Sequence, residues 1–145
     1  MGNEKNILAI LCLLATSPSL VCCSSKSKEV YFNSNQIRKI EWNELLDQEI
    51  CHYLCLVFSD SCGHCREVLH SEQLPNLVTE QCIFGINQSP SIPTFPHPEF
   101  TIGETDINDV WIYAVPTLIE IKDKTVINNV YGSDDVLSLM YSFQI

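Results

Sequence analysis

A tetrad with two cysteines, Cys-Gly-His-Cys at residues 62–65, is separated by three residues from an uncharged apolar run in this 145-residue chain. The run, residues 53–58, is rich in β-forming residues and predicts a buried central strand. After the tetrad, apolar residues recur at roughly helical spacing, and Pro75 is expected to kink or end that first helical stretch. The pattern therefore predicts an α/β fold in which the first cysteine begins a helix.

This position of the tetrad predicts thiol–disulfide exchange. Free backbone N–H groups and the positive end of the helix dipole stabilise an anion at a helix N-terminus, and a thiolate is the nucleophile in exchange. We expect Cys62 to be the attacking thiolate and Cys65, one helical turn further on, to be the resolving sulfur. Gly63 and His64 lie between them and are expected to set the redox poise. An imidazole beside Cys62 favours an oxidant or isomerase, and the alternative for His64 is a solvated first-turn residue.

Other uses of the tetrad are disfavoured by its spacing. A structural zinc site needs a second ligand pair, and no second C-x-x-C occurs in the chain. Haem attachment requires a histidine directly after the second cysteine, where this chain has Arg66. A purely structural disulfide here closes a very small loop, which gains little stability. We expect no metal and no organic cofactor, the redox centre being a disulfide between Cys62 and Cys65.

Elements outside the tetrad region complete the predicted fold. Residues 109–132 predict a loop, a strand opened by Val115-Pro116-Thr117, a turn at 122–124 and a second strand, which together form a hairpin. Further strands are expected at 36–40 and 81–86, a helix capped by Asn43 that carries Leu45 and Leu46, and a last helix capped by Ser133 whose Val136, Leu137, Leu139 and Met140 face the sheet.

A proline-rich stretch, residues 87–108, lacks helical periodicity. It predicts an extended loop of polyproline character. Such a loop either shapes the groove beside the dithiol, with Phe95, His97 and Phe100 as contacts, or is a variable surface loop.

This order of elements resembles the thioredoxin superfamily over roughly residues 36–145, through the strand, the tetrad at 62–65, the helix, the segment 115–118, the hairpin and the final helix. The resemblance implies a thioredoxin-like fold, a central mixed sheet flanked by helices. It also implies that the bond before Pro116 is cis and packs beside the dithiol, where Val115 and Pro116 contact an extended client segment.

The tetrad itself is like that of the catalytic domains of protein disulfide isomerase, and two nearby positions depart from that pattern. Ser61 stands where those domains have an aromatic residue, and Leu56 stands where they carry a buried carboxylate that moves protons. The expected proton acceptor for Cys65 is therefore missing from its place. Glu120, Asp60 or water are the candidates to replace it.

The N-terminal residues 1–22 predict a signal peptide, with a weakly basic start, a short apolar core and a small-residue exit. Cys22 and Cys23 resemble the end of a bacterial lipoprotein signal, so either is a candidate lipid acceptor. The alternative is ordinary cleavage and a soluble secreted or lumenal protein. We expect export, to the cell envelope in the first case, with residues 23–35 as a polar tether and 36–145 as the domain.

Charge and the remaining cysteines limit the partners. Eighteen acidic and eight basic residues give a net charge of −10, which argues against nucleic acid and against electrostatic docking on anionic lipid. The expected partners are protein thiol or disulfide clients and a redox partner that recharges the dithiol, with membrane contact only through the lipid anchor.

Cys55 and Cys82 are expected to be inert core residues and Cys51 to be accessible.

Two functional hypotheses follow from these residues. The first is an exported thiol–disulfide oxidoreductase, acting as an oxidase, isomerase or reductase on protein disulfides. The second is a non-catalytic thioredoxin-like adaptor that holds a partner in the groove beside Pro116.

Overall fold

Five strands form one mixed sheet in the computed structural model, which describes residues 36–143. The strands are β1 (Arg38–Lys39), β2 (His52–Phe58), β3 (Ile83–Asn87), β4 (Thr117–Lys122) and β5 (Thr125–Tyr131), and the helices are α1 (Gly63–Leu69), α2 (Leu74–Thr79) and α3 (Ser133–Ser142). The strand order is β1-β3-β2-β4-β5. β1, β3 and β2 pair in parallel, and β4 and β5 are antiparallel additions. The predicted mixed sheet flanked by helices is therefore confirmed.

The central strand β2 supplies both halves of the core, because successive side chains of a strand point to opposite faces. Leu54, Leu56 and Phe58 pack under α1, α2 and α3, on what we call the helical face. Cys55 and Val57 point the other way, to what we call the irregular face. All five side chains are fully buried, as the uncharged run predicted.

The irregular face is covered mainly by segments that are not α-helical. Leu45 and Leu46 from one short segment, and Ile92, Val110 and Ile112 from the stretch between β3 and β4, fill it. That stretch contains two 3-10 turns, Pro98–Thr101 and Ile107–Asp109, and otherwise forms the extended loop that the prolines predicted.

The break after α1 differs from the expectation for Pro75. α1 ends at Leu69, and α2 begins at Leu74 with Pro75 in its first turn. Because the first N–H groups of a helix have no intrahelical partner, a proline is tolerated there. Pro75 therefore starts the second helix instead of ending the first.

Two predictions for the start of the domain are wrong. Only Arg38–Lys39 of residues 36–40 forms a strand, and the helix expected after Asn43 is a three-residue 3-10 turn, Trp42–Glu44. Side chains take the carbonyls that a longer helix would use: Gln48 Nε2 donates to the Glu44 oxygen at 2.8 Å, and the Tyr53 hydroxyl to the Leu45 oxygen at 2.6 Å. The helix therefore does not propagate.

Smaller corrections concern element ends. The strand expected at 81–86 runs from Ile83 to Asn87, because Gln81 has φ +56° and belongs to the preceding turn. Ser133 is the first residue of α3, with Gly132 at the cap position, and its side chain bonds to Glu67 instead. In α3, Val136 and Met140 are fully buried, whereas Leu137 and Leu139 are partly buried against the same core.

The hairpin of β4 and β5 is as predicted. Its two-residue turn, Asp123 and Lys124, has positive φ at both positions, 50° and 63°, which is typical of tight hairpins. No helix among residues 36–143 is long and apolar enough to span a bilayer. The signal peptide, the tether and the lipidation candidates Cys22 and Cys23 lie outside the described residues.

Candidate active site

Cys62 occupies the cap position of α1, in extended backbone just before the first helical residue. A turn after β2, closed by a 3.1 Å hydrogen bond from the Cys62 N–H to the Ser59 oxygen, sets this position. The Cys65 N–H donates to the Cys62 sulfur at 3.2 Å. Such a donor stabilises a thiolate more than a neutral thiol, so the local backbone favours Cys62 as the nucleophile.

Cys65 lies one turn further on and is fully buried, with 0% of its surface exposed, whereas Cys62 is partly exposed. Burial in the first place, and the hydrogen bond with Cys62 in the second, raise the pKa of the Cys65 thiol to about 12. Both cysteines are free thiols. The pair is therefore asymmetric, with one accessible sulfur and one protected sulfur.

The segment before β4 packs against the dithiol. The Val115–Pro116 peptide bond is cis, as the resemblance implied, and the Cys62 thiol donates to the Val115 oxygen at 3.7 Å. The Gly132 N–H donates to the Pro116 oxygen at 2.9 Å, and the Thr117 hydroxyl donates to the Ala114 oxygen. These bonds tie the cis-proline turn to the start of α3, directly beside Cys62. Client contact at Val115 and Pro116 stays a prediction.

His64 lies in the first turn of α1, and its part in setting the redox poise stays a prediction. Its side chain is 74% exposed, and its Nδ1 lies 3.4 Å from the Glu67 carboxylate. Hydrogen bonds from Ser133 and, second, from His64 lower the pKa of Glu67. Glu67 thus links the first turn of α1 to the first residue of α3.

Gly63 faces open space. A Cβ placed there would approach no closer than 4.0 Å to another side chain, the guanidinium of Arg66. The turn therefore has room for a side chain at this position, and the flanking cysteines do not depend on glycine for their geometry.

The position expected to hold a buried carboxylate is filled by Leu56, which is fully buried and pairs with Leu118 of β4. Glu120 follows Leu118 by two residues in β4 and lies on the same face of the sheet. Its carboxylate accepts from His52 Nε2 at 2.7 Å and from Asn128 Nδ2 at 2.5 Å. Asp60 is exposed. Glu120 is buried, so it stays a candidate proton acceptor beside Asp60 and water.

The other described cysteines are where the sequence placed them. Cys55 and Cys82 are buried, and burial raises the pKa of both thiols. Cys51 is exposed. Within residues 36–143, no cluster of three or more His, Cys, Asp or Glu side chains is arranged to hold a metal ion.

The aromatic residues of the proline-rich loop contact one another and Trp111. His97 stacks on Phe100 with ring centroids 5.2 Å apart, and Phe95 meets Trp111 edge-on at 5.5 Å. The Asn129 side chain of β5 donates to Thr101 Oγ1 and to the Trp111 oxygen, both at 2.9 Å. These contacts place the cluster against β5.

A recess beside the dithiol was missed by the sequence analysis. Residues from α1 and from the junction of β5 and α3 line it: His64, Tyr131, Gly132, Ser133, Asp134 and Asp135. Tyr131 also meets Tyr113 edge-on, with ring centroids 4.8 Å apart. Tyr113 lies two residues before Val115, and its place near that predicted site residue was the available signal.

Comparisons with known proteins concern the fold. No protein-family model matches the sequence, and no curated protein matches it. The structure is similar to thioredoxin f2 from Chlamydomonas reinhardtii, at 16% identity over 74% of this chain and 96% of that chain, with a TM-score of 0.48. It is also similar to mitochondrial thioredoxin 3 from Saccharomyces cerevisiae, at 12% identity over 75% and 97% of the two chains, with a TM-score of 0.45.

The arrangement of this chain's own strands and helices is thioredoxin-like. A dithiol begins the helix that follows the central strand β2, and a cis-proline stands directly before β4. The two antiparallel strands and a final helix then complete the sheet and its helical face.

Proposed function

We propose that the protein is an exported thiol–disulfide oxidoreductase that acts on protein disulfides through Cys62 and Cys65. One observation carries the proposal, namely the asymmetry of the two sulfurs. Cys62 is accessible and accepts a backbone N–H at 3.2 Å, whereas Cys65 is fully buried behind it. Exchange needs an accessible nucleophile and a second thiol that only the first can reach.

The exchange proceeds in two displacements. The Cys62 thiolate attacks one sulfur of a client disulfide, forming the mixed disulfide as the client S–S bond breaks and a client thiolate leaves. Cys65 then loses its proton and attacks the Cys62 sulfur, which closes the Cys62–Cys65 disulfide and releases the second client thiolate. Two electrons pass to the client. The same steps in reverse oxidise a client dithiol, and a dithiol or disulfide partner restores the starting state.

We expect the second displacement to be slower than the first. Burial raises the pKa of Cys65 to about 12, so at neutral pH its proton is strongly held. Leu56 offers no proton acceptor at the position where a carboxylate would accelerate the step. We therefore expect the mixed disulfide at Cys62 to persist long enough to be trapped.

The cis-proline turn supports a client site beside the nucleophile. The Val115 oxygen is 3.7 Å from the Cys62 sulfur, so a client segment joined to that sulfur lies beside the Val115 backbone. Pro116 holds this turn through its own oxygen, which accepts from Gly132. Val115 and Pro116 are therefore the proposed client contacts.

The remaining parts of the proposal come from the sequence. The exchange needs no metal and no organic cofactor, because the two sulfurs carry the electrons. An anchor at Cys22 or Cys23 would hold the domain in the cell envelope, and cleavage without lipidation would release it as a secreted or lumenal protein. The reduction potential of the dithiol decides the direction of electron flow.

The experiment that tests the proposal is catalysis by single-cysteine variants. Cys62→Ser should abolish both insulin reduction with a dithiol donor and refolding of a scrambled disulfide substrate. Cys51→Ser, which removes an exposed cysteine outside the site, is the matched control and should retain both activities. Full activity in Cys62→Ser would refute the assignment.

A non-catalytic adaptor is the second candidate, and Leu56 in place of a proton acceptor is the observation that favours it. The pH dependence of Cys62 alkylation separates the two, measured in the Cys51→Ser background. An oxidoreductase should show a rate that has already levelled off near neutral pH, since the thiolate is the reacting form. A rate that keeps rising through pH 9 supports the adaptor.

A further inference from the structure

We propose that the recess beside His64 selects clients that carry a lysine or arginine next to the exchanging cysteine, and that Asp134, Asp135, Tyr113 and Tyr131 contact that cation. This inference rests on the proposed exchange at Cys62 and names the client class. It is carried by where the recess lies, by the charges that line it and by two exposed aromatic rings.

The recess lies within reach of a client held at Cys62. Tyr131 pairs in register with Thr117, the residue that follows Pro116, and the Gly132 N–H is bonded to the Pro116 oxygen. His64 of the tetrad lines the opposite side. An extended chain advances about 3.3 Å per residue, so a residue one or two positions from the client cysteine meets this recess.

The charges of the recess are negative. Asp134 and Asp135 are both exposed in the first turn of α3, and Glu67, held by Ser133 and His64, adds a third carboxylate at the edge. Arg66, the cation of α1, is not among the lining residues, since its guanidinium lies toward Gly63. A cationic client side chain is therefore the complementary occupant.

Two aromatic rings give the same preference independently. Tyr113 is 48% exposed and Tyr131 is 42% exposed, although each is a large ring that would be buried if it served only packing. They meet edge-on at 4.8 Å, and Tyr131 lines the recess together with Asp134 and Asp135. Ring faces attract lysine and arginine by cation–π interaction.

The test uses three disulfide peptides that differ only at the residue after cysteine, which is lysine, glutamine or glutamate. The wild-type protein should show kcat/KM about tenfold higher for the lysine than for the glutamate peptide at low salt, from two exposed ion pairs and one cation–π contact. The ratio should fall toward one in 1 M salt, because screening weakens exposed pairs.

Variants assign the preference to the recess. Asp134→Asn with Asp135→Asn should lower the ratio to about two, and Asn keeps a residue type suited to a helix start. Tyr113→Leu, which lies outside α3, should lower the ratio about threefold. The control Glu49→Gln with Asp123→Asn makes the same change in charge at the other end of β2 and should leave the ratio unchanged.

The outcomes separate this inference from the function on which it rests. A wild-type ratio near one, or a ratio that Asp134→Asn with Asp135→Asn does not change, would overturn the inference while turnover of the glutamine peptide upholds exchange. Absence of turnover with all three peptides would overturn the proposed function and the client preference together.

Discussion

The two faces of the sheet are equally buried but are covered in different ways. Three helices pack on the helical face, and α1 brings the dithiol with it. The irregular face is closed by the 3-10 turn Trp42–Glu44 and by the long stretch between β3 and β4. A sheet needs apolar contact on both faces, and short turns supply it as well as helices do. Exchange chemistry needs a helix in addition, because the start of a helix directs free backbone N–H groups at one sulfur.

Side-chain hydrogen bonds add to backbone bonds, such as those of Val126 with Gly103 and Glu104, in holding the segment that covers the irregular face. The Tyr53 hydroxyl donates to the Leu45 oxygen, and Asn129 donates to Thr101 and to the Trp111 oxygen. The Trp111 ring nitrogen donates to the His97 oxygen at 3.1 Å. Each of these bonds fixes one further point of the covering segment.

The largest expected effect compares one phenylalanine on each face. Phe58 and Phe84 are both almost fully buried, on the helical and the irregular face respectively. Each change to alanine should cost about 3–5 kcal/mol in the free energy of unfolding, measured with urea. Only Phe58→Ala should also change the alkylation rate of Cys62, because Phe58 packs in the same core as Cys65. Equal changes in rate for both variants would contradict a functional difference between the faces.

The next prediction removes one fixing bond of the irregular face. Asn129→Ala leaves the Trp111 oxygen and Thr101 without a donor, which should cost about 1–3 kcal/mol. Limited proteolysis should then begin within residues 88–112, while peptide exchange at Cys62 stays at the wild-type rate. Asn76→Ala, an exposed asparagine on α2, is the control and should leave the cleavage pattern unchanged.

How much of this was predictable depends on how far apart the interacting residues lie in the chain. The strand, tetrad and helix around Cys62 and the turn at Asp123 follow from local patterns, and the structure bears them out. The 3-10 turn after Glu41 does not, because the bond that stops the helix comes from Tyr53. Serine is a common cap residue, yet the Ser133 hydroxyl is hydrogen-bonded to Glu67 of another helix.

The features of the site also differ in how far apart their residues lie in the chain. The spacing of Cys62 and Cys65 predicts different roles for the two sulfurs, whereas the difference in their burial is seen only in the structure. The ring of His64 lies on Glu67, and the pairing of Tyr113 with Tyr131 forms only when β5 returns beside the cis-proline turn. The His64–Glu67 pair has the i,i+3 spacing of helix neighbours, whereas the tyrosine pair joins residues far apart in the chain.

A pH dependence compares one buried thiol on each face. Burial raises the pKa of Cys65 to about 12 and also raises that of Cys55. An unfolded thiol ionises near pH 8.5, so above that pH the unfolded state loses a proton that the folded state keeps. Stability of the reduced protein is therefore complete below about pH 8.5 and falls as the pH rises toward 12, by up to about 1.4 kcal/mol per pH unit for each thiol.

Urea unfolding at pH 7.5, 9 and 10 under reducing conditions measures this slope. Cys65→Ala and Cys55→Ala should each reduce the slope by a similar amount, since both thiols are fully buried. The control Cys51→Ser should keep the wild-type slope, because Cys51 is exposed. Slopes unchanged in both alanine variants would show that neither buried thiol governs the response.

The most direct test of the central claim is equilibration of the protein in glutathione buffers, with the state of each cysteine determined by alkylation and mass spectrometry. We predict a reversible Cys62–Cys65 disulfide with one two-electron midpoint, about −180 mV or higher for an oxidant or isomerase and about −270 mV for a reductant, while Cys55 and Cys82 stay reduced. Two results would contradict this prediction. One is the absence of a Cys62–Cys65 disulfide at every buffer ratio, and the other is a midpoint potential below about −300 mV, as structural disulfides have.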